Sequence, residues 1–374
     1  MVLPALDIGG MEMMVASLTR ALARRGHDVG VTCLEAAGPI AEQLTAQRIR
    51  VSVVPTPGLR TIIRATPLDR WFRGLAPDVV HVHSGAWLKG ARAARRAGVR
   101  RVIHTMHGLL ERAPWYSTWL DRLAACSTDR NVAVSTTLRE HLINTVGTAP
   151  SQCSVIANGV DTDRFHPGPR RPGWRVRNGL LEGVQVIGTV ARLDEVKNHA
   201  LLVEAFARLR AEHAAVALVI AGDGPLRADL ERQAARLGVA DSVRFLGETQ
   251  EPAVVHREFD LFVSSSLAEG TSISILEAMA SGVCVVATAV GGTPALLDGG
   301  RLGRLVPSGD AGALAAAMGS LLRDGGARER NRLAAAGRQA AISTYSIDTM
   351  VQHYEREYGA RPAVRSYPAH EASF

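Results

Sequence analysis

The chain has 374 residues, 47% of them hydrophobic, which is enough to bury a large core and most simply forms two domains. No apolar run reaches the roughly 20 residues of a membrane-spanning helix, and Asp7, Glu12 and Arg24 interrupt any signal-peptide pattern near the start. The four cysteines lie far apart without a C-x-x-C pair, which argues against a zinc site or a disulfide framework and indicates a reducing cytoplasm.

The positive charge is concentrated in the first half. Residues 1–165 contain 20 Arg and Lys against 13 Asp and Glu, whereas residues 166–374 contain 23 of each kind. A basic half suits an anionic partner, such as an acidic membrane surface, a phosphorylated lipid or nucleic acid. The alternative is a generally arginine-rich composition, which the presence of only two lysines, Lys89 and Lys197, supports.

The first half alternates strands and helices. Residues 1–4 form the end of a strand, shorter than the usual five or six residues or so, and the Gly9-Gly10 turn leads into a helix. Such a turn can lay backbone N–H groups against a phosphate, or simply bend the chain. Strands follow at 28–34, 50–54, 78–82, 101–106 and 131–134, and helices at 11–25, 40–47, 60–75, 86–97, 117–125 and 136–144. This rhythm predicts a doubly wound parallel sheet, with ligands outside the carboxyl ends of its strands.

Two His-x-His patterns end neighbouring strands. We expect His81 and His104 to pack inside, and the last histidine of each run, His83 or His107, to project toward a ligand. His107, just before Gly108, is the candidate for contact with a reacting group. A metal site is the less favoured alternative, because no carboxylate or cysteine accompanies the histidines at ligand spacing.

Two segments mix aromatic and aliphatic residues with arginine, at 60–73 and 109–120. This composition suits an interfacial surface near lipid head groups or an acceptor site. Equally, Trp71, Phe72 and Trp119 can pack into the core while the arginines face water.

Residues 158–183 are rich in turn formers, and we place the linker at 161–183, between domains at 1–160 and 184–345. A last amphipathic helix at about 346–358 is expected to pack back on the first domain, and 360–374 form a tail. In the second domain, Arg192 and Lys197 follow a strand at 184–190 and can straddle a diphosphate, or remain solvated. The stretch 221–226 resembles a dinucleotide loop, but Arg227 occupies its third glycine position, so we reject that reading.

The stretch 268–280 carries the densest polar pattern. Glu269 and Gly270 form a loop after the strand at 261–263, and Thr271 or Ser272 can cap a helix that starts near Ile273 and carries Glu277. Backbone N–H groups at such a helix start attract phosphate, while the two carboxylates can accept hydrogen bonds from hydroxyls. The pattern therefore suits a nucleotide sugar, although two solvated glutamates beside a helix would look the same.

Seven pieces of sequence, in order, resemble the retaining glycosyltransferases of family 4, and most closely sugar transferases of bacterial exopolysaccharide clusters. They are residues 6–10, 78–83, 104–108, 158–161, 188–198, 221–225 and 269–277. The resemblance covers nearly the whole chain and implies the GT-B fold, two doubly wound Rossmann-like α/β domains facing across a cleft.

The resemblance also implies roles for single residues. Gly9 and Gly10 approach the donor diphosphate, Arg192 and Lys197 neutralise it, and His107 lies near the sugar. Glu269 contacts the transferred sugar, Glu277 holds the ribose, and the backbone of Gly270, Thr271, Ser272 and Ile273 touches sugar or phosphate. The family needs neither a cofactor nor a metal.

The function expected from this resemblance is transfer of a hexose from a UDP- or GDP-sugar to a lipid-linked glycan, in the cytoplasm or at the inner face of the membrane. The same chemistry on a small soluble acceptor is the main alternative, and a nucleotide-sugar epimerase is a weaker one. A nucleic-acid-binding protein is disfavoured, because the basic half lacks a basic–aromatic strand motif or a zinc finger.

Overall fold

The structure, a computed structural model, describes residues 1–57, 66–108, 116–181 and 183–359. It divides into two compact units, which are described separately. The first comprises residues 1–133, 139–156 and those from Met350 onward, and the second comprises 134–138 and 157–349. The chain therefore passes between the units at more than one place, and the predicted boundary at residue 160 accounts for only one of them.

The first unit is built on a seven-stranded sheet in the order β3-β2-β1-β4-β5-β6-β7, all parallel. Its strands are Val2–Leu3 (β1), Gly30–Cys33 (β2), Arg50–Val53 (β3), Val79–His83 (β4), Arg101–Met106 (β5), Arg130–Ala133 (β6) and Cys153–Val155 (β7). Although β1 has only two residues, it lies at the centre of the sheet, where Val2 pairs with both Thr32 and Val82. Strand β7 was not predicted, since three residues at a sheet edge leave too weak a pattern.

The helices of the first unit cover both faces of this sheet, as the alternating pattern predicted. They are Gly10–Arg24, Pro39–Ala46, Thr66–Leu75, Trp87–Arg96 and Ser117–Ala125. A helix at Thr136–His141 continues as a π-helical turn at Leu142–Val146. The predicted residues 60–65 and 109–115 lie outside the described residues, as does the tail at 360–374.

The second unit has a six-stranded parallel sheet in the order β10-β9-β8-β11-β12-β13. Its strands are Gln185–Val190 (β8), Val216–Ala221 (β9), Val243–Gly247 (β10), Leu261–Ser264 (β11), Val285–Thr288 (β12) and Arg304–Val306 (β13). Successive side chains point to opposite faces, so Ile187 joins one hydrophobic core and its neighbour Val186 joins the other. The sheet is thus buried on both sides.

Helices of the second unit lie over these two cores. They are Trp174–Arg177, His199–Glu212, Arg227–Arg236, Pro252–Glu258, Ile273–Ala280, Thr293–Leu296, Ala311–Leu322 and Ala327–Ser343. The helix after the glycine-rich stretch begins at Arg227, and just before it the N–H of Leu226 donates to the carbonyl of Leu193.

Residues 161–183, which the sequence indicated as a linker, are part of the second unit. Phe165 and Trp174 are buried in its core, and Arg171 forms an ion pair with Glu251. The many turn formers in this stretch produce a strap that is held to the unit by apolar burial and arginine contacts. A breaker-rich sequence signals irregular backbone but does not show whether that backbone is packed.

The helix Ile347–Tyr358 ends against the sheet of the first unit. Glu355 pairs with Arg25, and the carbonyl of Glu357 accepts hydrogen bonds from Arg101. Within the described ranges, no helix has both the length and the apolar content needed to cross a bilayer.

Candidate functional site

The order of strands in each sheet identifies the edge where a ligand would bind. In the second unit, β8 lies between β9 and β11, so the chain winds away from β8 in opposite directions on its two sides. Such a switch point opens a crevice outside the carboxyl ends of the two strands. The loop after β8 carries Arg192 and Lys197, and the loop after β11 carries Glu269. Topology therefore brings together two stretches that are about 70 residues apart in sequence.

An ion pair joins the two loops. Lys197 Nζ lies 2.7 Å from Glu269 Oε1, and the hydroxyl of Ser266 donates to the same oxygen at 2.7 Å. The Glu269 side chain is only 8% exposed, whereas Lys197 retains 26% exposure. The lysine therefore has one N–H direction committed to Glu269 and others open to a ligand. Arg192 is exposed, and its guanidinium makes no ion pair with a residue that the structure describes.

The Lys197 loop has its own internal support. The backbone N–H of Lys197 donates to the Asp194 carboxylate at 3.1 Å, and its carbonyl accepts from Ser265 at 3.0 Å. Asn198 follows with φ +46°, a conformation that asparagine tolerates better than most residues. These contacts fix the backbone that carries the ammonium.

The predicted helix after Gly270 begins at Ile273 and ends at Ala280. Neither hydroxyl caps it through its side chain: Thr271 donates to the carbonyl of Val134, and Ser272 Oγ lies 3.2 Å from Ser274 Oγ. Ser272 does occupy the N-cap position, as predicted, but its hydroxyl does not bond the helix N–H groups because it has another partner. Without a side-chain cap, the first N–H groups of the helix remain available for an anion.

Glu277 lies one turn into this helix and is 14% exposed on its side chain. Its Oε2 is 3.5 Å from Nε2 of His256, a fully buried imidazole whose ring nitrogens make no hydrogen bond with any residue in the described part of the chain. The ring lies among Phe165, Phe259 and Phe262, with centroid distances of 5.5–5.9 Å. Nothing in the sequence pattern predicts this contact, because no other histidine or motif accompanies His256.

The loop Gly291-Gly292 supports Glu269 from behind. The N–H of Gly292 donates to the Glu269 carbonyl at 3.0 Å. A Cβ on Gly291 would overlap that carbonyl oxygen, and a Cβ on Gly292 would overlap the carbonyl oxygen of Gly270. These glycines allow two loops to pack backbone against backbone. They therefore fix the Glu269 loop rather than supply flexibility.

The glycine-rich stretch at 221–225 has a similar packing role. A Cβ on Gly222 would overlap the carbonyl of Ala191, one on Gly224 would crowd Leu193, and the N–H of Leu193 donates to the carbonyl of Asp223. The loop packs on the start of the Arg192 loop.

The first unit has its own switch point, where β1 lies between β2 and β4. Gly9 and Gly10 follow β1, and the helix Gly10–Arg24 starts there without a side-chain cap. A Cβ on Gly9 would overlap the carboxylate of Glu12, whose pKa is raised by burial and by nearby Asp7. Glycine at this position thus accommodates a carboxylate folded back over the helix start.

The carboxyl ends of β4 and β5 hold a histidine and tyrosine network. His81 Nδ1 lies 2.8 Å from the hydroxyl of Tyr358, and its Nε2 lies 2.7 Å from Thr105 Oγ1, which in turn lies 3.1 Å from the hydroxyl of Tyr354. His104 stacks on Trp87 with ring centroids 3.6 Å apart. Both histidines are at most 2% exposed, so their predicted packing is confirmed.

His83 was expected to project toward a ligand, and this is wrong: it is fully buried, and its Nδ1 lies 3.0 Å from Nε2 of His107. His107 is half-buried, and its backbone N–H donates to Ser84 at 3.2 Å. Burial lowers the pKa of His107 to about 3 and that of His83 well below its ordinary value. The proximity of His81 and His107 depresses the pKa of His83 further. Both rings are neutral near pH 7.

The metal alternative finds no support in the described part of the chain, where no group of three or more His, Cys, Asp or Glu residues is placed to hold an ion. The histidines contact hydroxyls, an indole and one another instead. In the second unit, Ser266 and His256 contact the predicted glutamates and were not predicted, whereas His83 of the first unit was named but its burial was not expected. For His83, the strand alternation placed it on the face of His81, and a stricter use of that signal would have predicted its burial.

Comparison with known proteins agrees with this architecture. The family model described as Glycosyltransferase Family 4 matches residues 8–164, and the one described as Glycosyl transferases group 1 matches residues 184–324. D-inositol 3-phosphate glycosyltransferase of Mycobacterium tuberculosis (strain ATCC 25618 / H37Rv) is 30% identical over 390 residues, which cover 96% of this chain and 81% of that protein.

Solved structures share the fold. The Anabaena protein HepE in complex with UDP has a TM-score of 0.83 at 23% identity, covering 96% of this chain and 98% of its own. WaaG, a glycosyltransferase involved in lipopolysaccharide biosynthesis, has a TM-score of 0.71 at 18% identity over 96% and 99%. Two doubly wound units with polar loops at their switch points, together with these structural neighbours, define the GT-B fold. The chain belongs to glycosyltransferase family 4 and is a transferase enzyme.

Proposed function

We propose that this enzyme transfers a hexose, with retention of configuration, from a UDP- or GDP-linked sugar to a lipid-linked glycan in exopolysaccharide or cell-surface polysaccharide synthesis. The observation that carries the proposal is the pairing of Lys197 and Glu269 at the switch point of the second unit. It places a cation, a carboxylate and an uncapped helix start within a few residues of one another. Phosphate and sugar hydroxyls require these three kinds of group.

The residues take the following roles in the reaction. Lys197 and Arg192 neutralise the diphosphate as the bond between the anomeric carbon and the phosphate oxygen breaks. The backbone of Gly270–Ile273 holds phosphate or sugar, Glu269 holds sugar hydroxyls, and Glu277 holds the ribose. The acceptor oxygen bonds to the anomeric carbon on the same face from which the phosphate leaves. The proton of the acceptor hydroxyl passes to the leaving phosphate oxygen, which yields a nucleoside diphosphate.

The relatives support a nucleotide-sugar donor, because the Anabaena protein HepE has been solved with UDP and with UDP-glucose. No cofactor is part of the proposal, and the cationic role in neutralising the leaving group falls to Arg192 and Lys197. Excess EDTA should accordingly leave turnover within about twofold. A large loss that a divalent cation restores would contradict this assignment.

The acceptor side is assigned to the first unit, which carries the basic excess. On the helix Ser117–Ala125 and just before it, Trp119 is 60% exposed and Tyr116 is 46% exposed. Exposed aromatics on a basic unit suit peripheral contact with an acidic membrane from the cytoplasmic side. Of the two readings left open for these aromatics, packing in the core does not hold for Trp119 but does hold for Phe72, which is 2% exposed.

A small soluble acceptor is the second candidate, and one observation favours it. The mycobacterial relatives are named for action on D-inositol 3-phosphate, which is a small phosphorylated polyol. An arginine-rich first unit would suit such a phosphate as well as a lipid head group.

The decisive experiment measures donor turnover over a panel of UDP- and GDP-sugars with three acceptor sets: none, an organic-solvent extract of lipid-linked glycans, and phosphorylated polyols. We expect one base to dominate and the lipid extract to raise turnover. Stimulation by the polyols alone would favour the soluble acceptor. The proposal would be overturned if the protein hydrolysed no donor and bound no nucleoside diphosphate in calorimetry. Glu269→Gln tests the site in the same assay, and Glu204→Gln, on an exposed helix face, is its matched control.

A further inference from the structure

The hydrogen bond between His83 and His107 restricts the protons of both rings. His83 Nδ1 and His107 Nε2 are 3.0 Å apart, so one of these two nitrogens carries the hydrogen between them. Because burial lowers the pKa of both imidazoles, each ring carries one proton near neutral pH. Two arrangements satisfy these conditions, with either His83 or His107 as the donor.

The surroundings of His83 distinguish the two. Its other nitrogen, Nε2, is buried and has no hydrogen-bond partner within the ranges that the structure describes. If His107 were the donor, the His83 proton would have to lie on Nε2, as a buried N–H without an acceptor. If His83 is the donor from Nδ1, Nε2 carries only a lone pair. Buried N–H groups without partners are rarer in proteins than under-satisfied acceptors, so the second arrangement is favoured.

The consequence falls on the far side of His107. With Nε2 accepting from His83, the proton of His107 lies on Nδ1. This nitrogen is not among the buried unpaired atoms and makes no hydrogen bond with the residues that the structure describes. Ser84 holds the backbone of the same residue at 3.2 Å. The ring is thus fixed at its backbone and at one nitrogen, and its free N–H has a defined direction.

We propose that His83 is a positioning residue that fixes His107 as an Nδ1–H donor toward a hydroxyl of the transferred sugar. The inference rests on the proposed function and on the expectation, implied by the family resemblance, that His107 lies near the transferred sugar. A neutral donor of fixed direction selects a sugar by the placement of one hydroxyl oxygen. It stays neutral through the reaction, so His107 orients the sugar and transfers no proton.

Two readouts test this on the full-length chain. The first is the tautomer, read from long-range proton–nitrogen NMR spectra of protein labelled with nitrogen-15 histidine, with His107→Gln used to assign the signals. We expect His107 to carry its proton on Nδ1. A proton on Nε2 of His107 would overturn the proposal whatever the activity.

The second readout compares three replacements of His83. Asn keeps a donor near the place of Nδ1, the similarly shaped Asp offers only an acceptor, and Leu offers neither. We expect His83→Asn to keep kcat/KM within about threefold of the wild type, and His83→Leu to lose about tenfold or more. In His83→Asp, the carboxylate accepts a hydrogen bond from Nε2 of His107 and raises the pKa of that ring. Nδ1 of His107 then carries a proton only when the ring is cationic. The kcat/KM of His83→Asp should therefore fall as pH rises from about 6 to about 8, unlike that of His83→Asn.

Equal losses in the Asn, Asp and Leu variants, with the same pH profile, would show that His83 has only a packing role and would overturn the proposal. Failure of the proposed function gives a different result. In that case the wild-type chain would neither bind a nucleotide sugar nor turn one over. The NMR spectrum would still report which nitrogen of His107 carries the proton.

Discussion

Lys197 and Glu269 form a 2.7 Å ion pair between the loops that follow β8 and β11, and Ser266 donates to the same carboxylate oxygen. The pair lies where the winding of the second sheet reverses, at the place where ligands of doubly wound sheets bind. In the proposed function, a diphosphate would meet an ammonium whose position the Glu269 carboxylate already fixes. The pair therefore preorganises the lysine instead of merely neutralising it.

Replacing Lys197 and Glu269 one at a time should separate an effect on nucleotide binding from an effect on sugar transfer. Lys197→Met should weaken calorimetric affinity for nucleoside diphosphate about tenfold or more, because a partly desolvated cation is lost from the diphosphate. Glu269→Gln should keep that affinity within about threefold but lower sugar transfer about 100-fold, since its contact is with the sugar. Glu204→Gln, which breaks an exposed pair with Arg208, is the control that should change neither. Loss of nucleotide affinity in Glu269→Gln would contradict this division of roles.

The buried contact between His256 and Glu277 gives a second prediction. His256→Phe should unfold at an equal or higher urea midpoint, because among the described residues the two buried ring nitrogens have no hydrogen bond, and the change replaces them with carbon among three phenylalanine rings. The same change should weaken nucleoside diphosphate binding by several-fold, because Glu277 loses the group that orients it. Glu277→Gln, measured in the same calorimeter, sets the scale. Unchanged affinity in His256→Phe would show that the imidazole does not act on Glu277.

Close packing of two loops gives a third prediction. Gly292→Ala should lower the free energy of unfolding by about 1–3 kcal/mol, because its Cβ would overlap the carbonyl oxygen of Gly270 and push the Glu269 loop. The matched control is Gly74→Ala, in a helix where a Cβ meets no atom within 4 Å, which should be neutral or slightly stabilising. The urea midpoint and the donor turnover should both fall in Gly292→Ala, and neither should fall in Gly74→Ala. An unaltered Gly292→Ala protein would show that the two loops can separate without cost.

How much of this arrangement the sequence could predict depends on the range of the interactions. The alternation of apolar strands and helices predicted both sheets, and Arg192, Lys197 and Glu269 were identified because each follows a strand. The hydrogen-bond partners of Glu269 and of His107 were not identified, because a hydrogen bond between two loops or between β4 and β5 depends on strand order, which the sequence does not state. Ser266, which bonds Glu269, and His83, which bonds His107, are examples.

Short elements were missed for a related reason. Strands β7 and β13 have three residues each, too few to show a period, and they form because a neighbouring strand offers a free edge. Trp174 shows the reverse case, since a breaker-rich stretch looked like a linker and is buried by tertiary contacts alone.

Acid should destabilise the protein through its buried histidines. The pKa of His107 is about 3 in the folded chain because of burial, against an ordinary value near 6.5. Between these two values the unfolded chain binds a proton that the folded chain does not, so stability falls as pH falls from about 6.5 toward about 3. The urea midpoint should drop over this range, and less steeply in His107→Gln. His166→Gln, on an exposed loop, should leave the slope as in the wild type. An identical slope in His107→Gln would contradict the lowered pKa.

The exposed aromatics of the first unit should decide whether the enzyme meets a membrane. Trp119→Ser removes a side chain that is 60% exposed on a unit rich in arginine, and should reduce flotation with vesicles of anionic phospholipid several-fold at low salt. Raising the salt should reduce flotation of the wild type too, because arginine contributes about 1 kcal/mol per residue near such a surface and this attraction is screened. Val176→Ser, at a position 72% exposed in the second unit, is the control that should float as the wild type does. If the wild-type chain stays unbound to anionic vesicles at low salt, the soluble phosphorylated acceptor becomes the better proposal.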